Sequence, residues 1–490
     1  MILLLAACMA GPDGAGETGS GGVVEGDALG VVVDLATTGA GVEGTFEEPG
    51  TYIVVLFSAA VEQDTTYGYG ERAEAAAEAV PSDSPPVRAA DAEPPVVYAT
   101  VGDHRSFTVY DGSAYVEVDG EATHVTDELV IWNDVTTVNP LGDIPTDTLD
   151  GVVGSFEDIV LPRTRQVFGQ ESDVEGSGRI DVLTSFTVND YGAVAYVTWC
   201  DLGELAGCGG RSNGSETIYM GIPDPSSDYS SPNAITEIWA HELNHLVYAS
   251  HKYIDNGQLD ARENIYLTEG MSELAQDLTG FNNGNQYIWA SAIDMREFYG
   301  NEDYSTQGVS VNDFLRGESY YSARRDGPLR GGAYLFLRYL FEQAGGFVVN
   351  DDGSFTDAGG MAFLHDWFNA PELGPDCVQT LTGRSTEDLA LDWYTALVLT
   401  GRDLNDDPVF NYDDRVQDPI TKFEFGVDPY AVIHGWLTLS GPPVQPIAEA
   451  DGKLRAGGVE YLEVVVEEPG VVEIAVDAAA LPRARAFRVE

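Results

Sequence analysis

The residues best suited to chemistry in this chain are two histidines and a glutamate at short spacing. The segment His241-Glu242-Leu243-Asn244-His245 places the histidines four positions apart, so a helix would project both imidazoles from one face. Two imidazoles on one rigid face can take two corners of a tetrahedral zinc site. Glu242 would lie beside that face, placed to hold and deprotonate an attacking water. The pattern therefore predicts a catalytic zinc centre.

A second acidic segment downstream can supply the third ligand. Residues 266–275 read Tyr-Leu-Thr-Glu-Gly-Met-Ser-Glu-Leu-Ala, so Glu269 and Glu273 are four positions apart, and Glu269 follows His245 by 24 positions. This separation leaves room for a loop and a second helix packed antiparallel to the first. Glu269 would complete a two-histidine, one-glutamate site with an open position, and Glu273 would accept a hydrogen bond from a ligand histidine and fix its tautomer.

Both motifs also have an explanation without metal. A helix that exposes two histidines and a glutamate would show the first pattern, and a solvated acidic helix would show the second. The chain has only seven histidines, so a chance match to the first motif is on the order of a per cent from composition. Leu267, Met271 and Leu274 give the second segment an apolar face, which favours a buried helix over a solvated one.

Together the two motifs resemble those of the gluzincin peptidases, and most closely those of the hyicolysin-type neutral zinc metallopeptidases. The HExxH segment and the Glu269-Gly270 segment are the specific parts of this resemblance. Supporting similarity lies in three further segments, which begin at Phe168, Arg211 and Gly331. The resemblance covers roughly residues 100–400.

The resemblance implies a role for each site residue. His241, His245 and Glu269 become the zinc ligands, and Glu242 becomes the general base that later protonates the leaving amine. The implied function is zinc-dependent endopeptidase cleavage of proteins outside the cytoplasm, by a thermolysin-like zincin catalytic domain of α+β class. Two alternatives remain: a lipid-anchored surface binding protein with a non-catalytic metal site, against which the intact Glu242 argues, and a hydrolase of non-peptide amides.

The resemblance also implies two features around the zinc site. A strand from Glu216 to Gly221 would precede the active-site helix and pair its edge with an extended peptide substrate. A tyrosine or histidine would stabilise the oxyanion, but Arg330, not a tyrosine, stands directly before Gly331. The role stays open among four candidates, which are Tyr320, Tyr321, Tyr334 and His251.

A separate acidic segment has the spacing of a calcium-binding loop. Asp173, Glu175 and Ser177 match its positions one, three and five, and Gly178 matches position six. Position twelve carries Thr184, where a bidentate glutamate would be expected. The segment predicts either a calcium site that stabilises the fold or an acidic, glycine-rich turn without metal.

Regular elements must position these residues. Ser231-Pro232 provides a cap and a first-turn proline for the motif helix. Strands are predicted at 179–183, 193–197 and 216–220, and a helix at 152–168 that Pro162 interrupts. Further helices are predicted at 234–250, 266–279, 286–299, 331–345, 358–369 and 386–400.

A chain of 490 residues predicts two to three domains. The zinc metallopeptidase domain is assigned to 141–440, and β strands at 96–140 lead into it. The other predicted regions are a lipoprotein-type signal and flexible tether at 1–27, an N-terminal β region at 28–69, a Pro/Ala/Glu-rich linker at 70–95 and a sandwich-like C-terminal β module at 441–490. This last module is expected to be incomplete, since the chain ends in strand-like sequence.

The charge balance limits the partners. Asp and Glu number 81 against 24 Lys and Arg, which gives a formal net charge of −57. Nucleic acids and anionic membrane surfaces both require basic patches, so neither is an expected partner. Self-repulsion of such a surface favours a soluble monomer. The expected partner is therefore a protein or peptide substrate.

The N-terminus and the cysteines both indicate export. Leu5-Ala-Ala-Cys8 resembles the lipobox of bacterial lipoproteins, although a basic n-region is missing. Lipidation of Cys8 would anchor the protein at the outer membrane or cell surface, and the alternative is a secreted or periplasmic protein. Cys200 and Cys208 could close a small disulfide loop, which would leave Cys377 as a free thiol.

Overall fold

The structure is a computed structural model that describes residues 22–24, 28–61, 65–68, 98–203, 208, 211–257, 263–293, 309–316, 326–449 and 452–490. Those residues form a mixed α+β protein, as the sequence predicts. Cys8, most of the predicted tether and the predicted linker lie outside the described residues. In the described part of the chain, none of the helices is long and apolar enough to cross a membrane.

The strands are numbered in chain order. They are β1 Gly22–Val24, β2 Val33–Asp34, β3 Ala36–Thr38, β4 Gly41–Phe46, β5 Gly50–Ser58, β6 Thr65–Gly68, β7 His104–Tyr110, β8 Tyr115–Val125, β9 Leu129–Asp134, β10 Ile180–Thr184, β11 Ala195–Val197, β12 Thr217–Met220, β13 Phe347–Val349, β14 Phe355–Asp357, β15 Val416–Gln417, β16 Glu424–Phe425, β17 Val432–Ile433, β18 Leu437–Thr438, β19 Val444–Pro446, β20 Lys453–Leu454, β21 Val459–Val466, β22 Gly470–Val476 and β23 Pro482–Arg488.

The α-helices of the described residues are numbered in the same way. They are α1 Thr146–Ser155, α2 Leu161–Val167, α3 Phe186–Tyr191, α4 Pro232–Ala249, α5 Ile265–Thr279, α6 Asn283–Ile293, α7 Val311–Leu315, α8 Asp326–Gln343, α9 Gly360–Asn369, α10 Gly374–Thr382 and α11 Thr386–Leu399. Two π-helical turns, Phe156–Val160 and Ser250–Asp255, continue α1 and α4. The predicted helices that fall on described residues are present, and α3, α7 and α10 are additions to them.

The predicted interruption at Pro162 is wrong, because α1, the first π turn and α2 follow one another without a break. Proline has no N–H to donate, and its ring would collide with the carbonyl four residues earlier in an ideal α-helix. The π turn widens the backbone just before Pro162, where the Leu161 N–H bonds to Phe156 O. The wider turn accommodates the ring.

A six-stranded sheet lies in the central part of the chain, in the order β11-β12-β10-β9-β8-β7. Strands β9, β10 and β12 are parallel, and β11 is antiparallel at one edge. Alternate residues face two cores: Ile180 and Val182 join the helical core, whereas Leu183 joins a smaller core on the other face. Because β7 to β9 are half of this sheet, residues 104–134 share a sheet with strands of the predicted metallopeptidase domain rather than only leading into it.

The N- and C-terminal β regions, predicted as separate, form one sandwich of two sheets. In one sheet β5 lies between β21 and β23, and in the other β4 pairs with β22. The correction has a physical reason: a strand pattern in the sequence predicts a strand but not its partner, and these partners lie some 400 residues apart.

The sandwich packs directly on the helical core through β5. Tyr52, Val54 and Leu56 point into the sandwich, whereas Ile53, Val55 and Phe57 join the helical core. This double burial explains the uninterrupted apolar run of β5. The Tyr461 hydroxyl also donates to the carbonyl of Tyr394 on α11, at 2.9 Å.

Candidate metal centre

Helix α4 is a rigid support for the HExxH motif. The Ser231 hydroxyl accepts a hydrogen bond from the Ala234 N–H, and Pro232 occupies the first turn, as the sequence predicts. Ile235, Trp239 and Leu246 are buried in the main core. This packing fixes one face of α4, so the rotation of the helix and the direction of its histidines are set.

Helix α5 lies antiparallel to α4. Gln276 donates to the Glu237 carbonyl at 3.4 Å near the start of α4, whereas Glu269 meets His245 near its end. The Asn264 side chain caps the start of α5 by accepting from the Tyr266 N–H. The antiparallel packing predicted from the 24-residue spacing is therefore present.

Three predicted ligands converge between these helices. Glu269 Oε2 lies 3.2 Å from His241 Nε2, and Glu269 Oε1 lies 3.7 Å from His245 Nε2. One ligand atom from each residue lies within 4.8 Å of the other two. Zinc bonds of about 2.1 Å at tetrahedral angles place ligand atoms about 3.4 Å apart. The donor set and its spacing therefore fit a metal such as zinc.

Glu273 lies behind His241, on the side away from Glu269. Its Oε1 is 3.9 Å from His241 Nδ1, which is longer than a hydrogen bond but within ion-pair distance. Asn285 holds the same carboxylate by donating to Oε2 at 3.3 Å. The carboxylate is on the side of the ring that would favour a proton on Nδ1 and leave Nε2 to bind metal.

Burial sets the protonation of the motif. It lowers the pKa of His245 to about 4, so the imidazole is neutral at pH 7 and can bind a metal. Burial opposes protonation of His241, but Glu269, Glu273 and Glu242 outweigh it and raise the His241 pKa. Burial also raises the pKa of Glu242 to about 7, against the effect of His241. A carboxyl with this pKa suits a general base near neutral pH.

Arg330 is a site residue that the sequence does not predict. Its Nη1 lies 2.5 Å from Glu269 Oε2. Helix α8 can bring Arg330 this close because it packs tightly against α5 at Gly270. A Cβ at Gly270 would lie 2.4 Å from the Cβ of Ala333. Two features of the sequence could have pointed to Arg330. It is a basic residue in a chain with few basic residues, and a pair of glycines follows it.

The structure does not bring the described oxyanion candidates to the ligands. The Tyr334 hydroxyl donates to Asp277 Oδ2 at 3.0 Å in a buried group with Arg338. His251 Nδ1 lies 3.2 Å from Asp255 Oδ2, and its ring packs against Gly169. The other two candidates, Tyr320 and Tyr321, lie outside the described residues.

The edge strand next to the site is β11, not the predicted segment Glu216 to Gly221. That segment forms β12, which is hydrogen-bonded on both sides, to β10 and to β11. The sequence shows where strands lie but not their order in a sheet. Beside β11 is a cavity of about 150 Å³, and Val194 and Ile238 are among its lining residues. Ile238 lies one helical turn before His241 and Glu242.

A second group of ligand-forming side chains lies in the predicted calcium segment. It consists of Asp173, Glu175 and Glu216, each with an oxygen within 4.8 Å of the others. Ser177, also predicted as a ligand, lies next to this group, since its hydroxyl donates to Glu175 at 2.5 Å. Glu216 belongs to the group because strand β12 begins beside the loop. The residue spacing within the loop could not predict this contact.

Glu216 is a buried carboxyl among neutral donors. It accepts hydrogen bonds from the Ser172 hydroxyl at 2.5 Å and the Val174 N–H at 3.2 Å. Burial and the neighbouring Glu175 raise its pKa well above the usual range. Two carboxylates this close must share a proton or bind a cation. Because the oxygens of all three side chains lie close together, the group is chemically able to hold a divalent ion.

The predicted disulfide is present. Cys200 and Cys208 are bonded, with their Cα atoms 5.6 Å apart. The bond closes the loop that follows the edge strand β11. Cys377 is a buried free thiol, as predicted, and accepts a contact from Lys252 Nζ at 3.6 Å. Burial raises the pKa of this thiol to about 11, so it is not a reactive thiolate at neutral pH.

Two comparisons with known proteins found no match. No protein-family model matches the chain, and no curated protein is significantly similar to it. The assignment of a function therefore depends on the geometry of the two clusters described above.

Proposed function

We propose that this protein is a zinc-dependent endopeptidase of the gluzincin type. The observation that carries the proposal is the convergence of His241, His245 and Glu269, with Glu242 beside them on α4. The resemblance of both motifs to hyicolysin-type metallopeptidases, and of the implied catalytic domain to thermolysin-like zincins, agrees with it. A purely structural site would have no use for a general base next to the ligands.

Zinc in this site would supply a Lewis acid for the scissile carbonyl and lower the pKa of a water. The protein residues would do the rest. His241 and His245, held by α4, fix the position of the reaction. Glu242, beside the histidines on α4, would accept the proton of the attacking water and return it to the leaving nitrogen. Glu273 and Asn285 would keep His241 in one orientation.

A peptide substrate would bind in extended form along β11. Among the described strands, β11 is the edge of the sheet nearest to α4, and β-augmentation there would hold the backbone of any sequence in the same place. The cavity between Val194 and Ile238 would accept one substrate side chain. Because an edge strand recognises backbone rather than chain ends, we infer internal cleavage of proteins.

The acidic group would hold calcium rather than zinc. Asp173, Glu175 and Glu216 offer oxygen ligands only, which calcium prefers. The ion would tie the loop after α2 to the start of β12. We assign this ion a stabilising role, because the general base and the histidines belong to the other cluster.

The disulfide supports a location outside the cytoplasm, where such bonds persist. Together with the lipobox-like Cys8, it favours an exported lipoprotein, with secretion or a periplasmic location as the alternative. We propose that the protein acts there on protein substrates, as a monomer.

The test combines metal exchange with one substitution. Casein cleavage should disappear with a zinc chelator and return with added zinc, at one zinc per chain. Glu242→Gln should abolish cleavage while it retains the zinc, because the residue is a base and not a ligand. Wild-type cleavage by Glu242→Gln would refute the mechanism. A chain that binds zinc but cleaves no peptide in a proteome-derived library would instead favour the surface binding protein.

A further inference from the structure

Arg330 contacts a proposed metal ligand but cannot itself bind a metal ion. Its Nη1 contacts Glu269, and its charge acts on Glu242, His245 and Glu273 as well. A cation in contact with a metal ligand weakens the attraction of that carboxylate for the metal ion. The charge of Arg330 therefore adds no direct attraction for a metal ion, so its place in the site calls for another role.

Two buried arginines among the described residues have a different environment. Arg163 and Arg338 are each 7% exposed and are held by carboxylates, namely Asp418 for the first and Asp277 with Glu342 for the second. The Arg330 side chain is 29% exposed, whereas the side chain of Glu269 that it contacts is 15% exposed. The guanidinium thus meets Glu269 from a side chain that is partly open to solvent.

The backbone around Arg330 is held firmly. A Cβ at Gly331 would lie 2.3 Å from the Ile288 carbonyl oxygen of α6, and one at Gly332 would lie 2.6 Å from the Val309 side chain. These close approaches fix the start of α8 against its neighbours. A group on such a rigid element can be preorganised for a reaction.

The guanidinium would lie within reach of a reacting oxygen bound next to Glu269. Neighbouring ligand atoms around zinc are about 3.4 Å apart, so a donor that touches Glu269 Oε2 can also reach an oxygen beside it. Arginine has five N–H donors in a planar fork, which allows it to bind both oxygens at once. A terminal carboxylate of the substrate would lie at least one residue farther from the scissile carbonyl.

We propose that Arg330 is the catalytic residue that stabilises the oxyanion. It takes the role that the sequence left open, while Tyr334 and His251 are engaged elsewhere. As the carbonyl carbon becomes tetrahedral, its oxygen gains negative charge, and the guanidinium donates to it. The proposal rests on the proposed peptidase function and names one more residue of the same site.

The experiment compares Arg330→Met and Arg330→Lys with Arg316→Met. Arg316 is a matched control, because it is 27% exposed and also pairs with a glutamate, Glu387. Each variant is assayed for zinc content, for thermal stability and for cleavage of one peptide in free-acid and C-terminally amidated forms. Calorimetry gives its affinity for a phosphinic peptide, whose tetrahedral anionic group mimics the transition state.

We expect Arg330→Met to keep one zinc per chain and a similar KM. Its kcat should fall about 10²- to 10³-fold, the usual loss for one oxyanion donor, and its affinity for the phosphinic peptide should fall in parallel. Arg330→Lys should recover part of both losses, because it keeps the charge without the fork. Arg316→Met should resemble the wild type in every measurement.

Three results would overturn the proposal. Loss of zinc in step with activity would make Arg330 a positioning residue for Glu269. A loss confined to the free-acid peptide would make it a receptor for the substrate C-terminus, and unchanged kcat and phosphinate affinity would leave it without a role. Wild-type protein that binds no zinc and cleaves neither peptide would instead refute the peptidase function, and this proposal with it.

Discussion

The two clusters of ligand-forming side chains differ in the way that the chain builds them. His241, His245 and Glu269 stand on two packed helices, α4 and α5, so their spacing follows from helix geometry. The acidic cluster joins a loop, with Asp173 and Glu175, to Glu216 at the start of a strand. Ligand residues on helices can therefore be found from sequence spacing, whereas those joined across a loop can be found only from the fold.

The clusters also differ in chemistry. Imidazole nitrogens with one carboxylate suit zinc, and three carboxylates suit a hard cation such as calcium. A cation, Arg330, contacts the first cluster, while neutral donors contact Glu216 in the second. We therefore expect the first cluster to govern activity and the second to govern stability.

The largest effect should come from removing a helical ligand. His245→Ala deletes one of three ligands, so zinc should fall from one per chain to near zero, and peptide hydrolysis should fall by at least about 10⁴-fold, the order of a lost catalytic group. Elemental analysis after dialysis and a peptide assay measure both. Asp173→Ala is the control in the other cluster and should keep zinc and activity; a matching loss there would break the division of roles.

A smaller effect is expected at the carboxylate behind His241. Glu273→Gln keeps the shape of the side chain but weakens its hold on the His241 ring, so zinc affinity should fall about 10- to 100-fold, as for other groups that orient metal ligands. Competition with a chromogenic chelator measures the affinity. If Glu273→Gln binds zinc as the wild type does, the 3.9 Å separation is too long to matter.

Calcium should act on the second cluster alone. At ten times its dissociation constant, calcium should add about 1.4 kcal/mol to the free energy of unfolding, by mass action on the folded state. Urea unfolding of the zinc-loaded protein, with and without calcium, measures this gain. Glu175→Gln should remove the gain without changing the peptidase rate, and a gain that survives the substitution would place the calcium elsewhere.

Much of the metal centre follows from the sequence, because it depends on local periodicity. The four-residue spacings of His241/His245 and Glu269/Glu273 determine which helix face each occupies, and the cap at Ser231 marks where α4 begins. Arg330 could not be placed in the same way. It meets Glu269 because α5 and α8 approach closely at Gly270, and such a tertiary approach leaves no periodic pattern.

The sheets show the same limit on a larger scale. The apolar run of β5 predicts a strand, and the structure confirms it, but β21 and β23 come from the other end of the chain. Likewise β11 and β12 were both predicted as strands, and only their hydrogen bonding shows that β11 is the edge. Strand identity is local, whereas strand order is set by packing of the whole molecule.

The smallest effect should be a dependence of stability on pH at Glu216. Its pKa is raised from 4.5 to about 8 in the folded protein. Between these pH values the folded state therefore holds a proton that the unfolded state has lost. In calcium-free protein, this contribution to the free energy of unfolding must fall as the pH rises through that range. Glu216→Gln removes the charge that burial disfavours and should therefore stabilise calcium-free protein at pH 8, by about 1 kcal/mol.

Calcium should reverse the sign of that substitution, because the bound ion requires the charged carboxylate. Asp201→Asn provides the matched control, since burial also raises the pKa of Asp201, to about 6, at a site outside the cluster. Its effect on stability should be the same with and without calcium. Urea unfolding at pH 5 and pH 8 measures both variants. If Glu216→Gln changes stability equally in both calcium states, Glu216 is a buried carboxyl like Asp201 and not a calcium ligand.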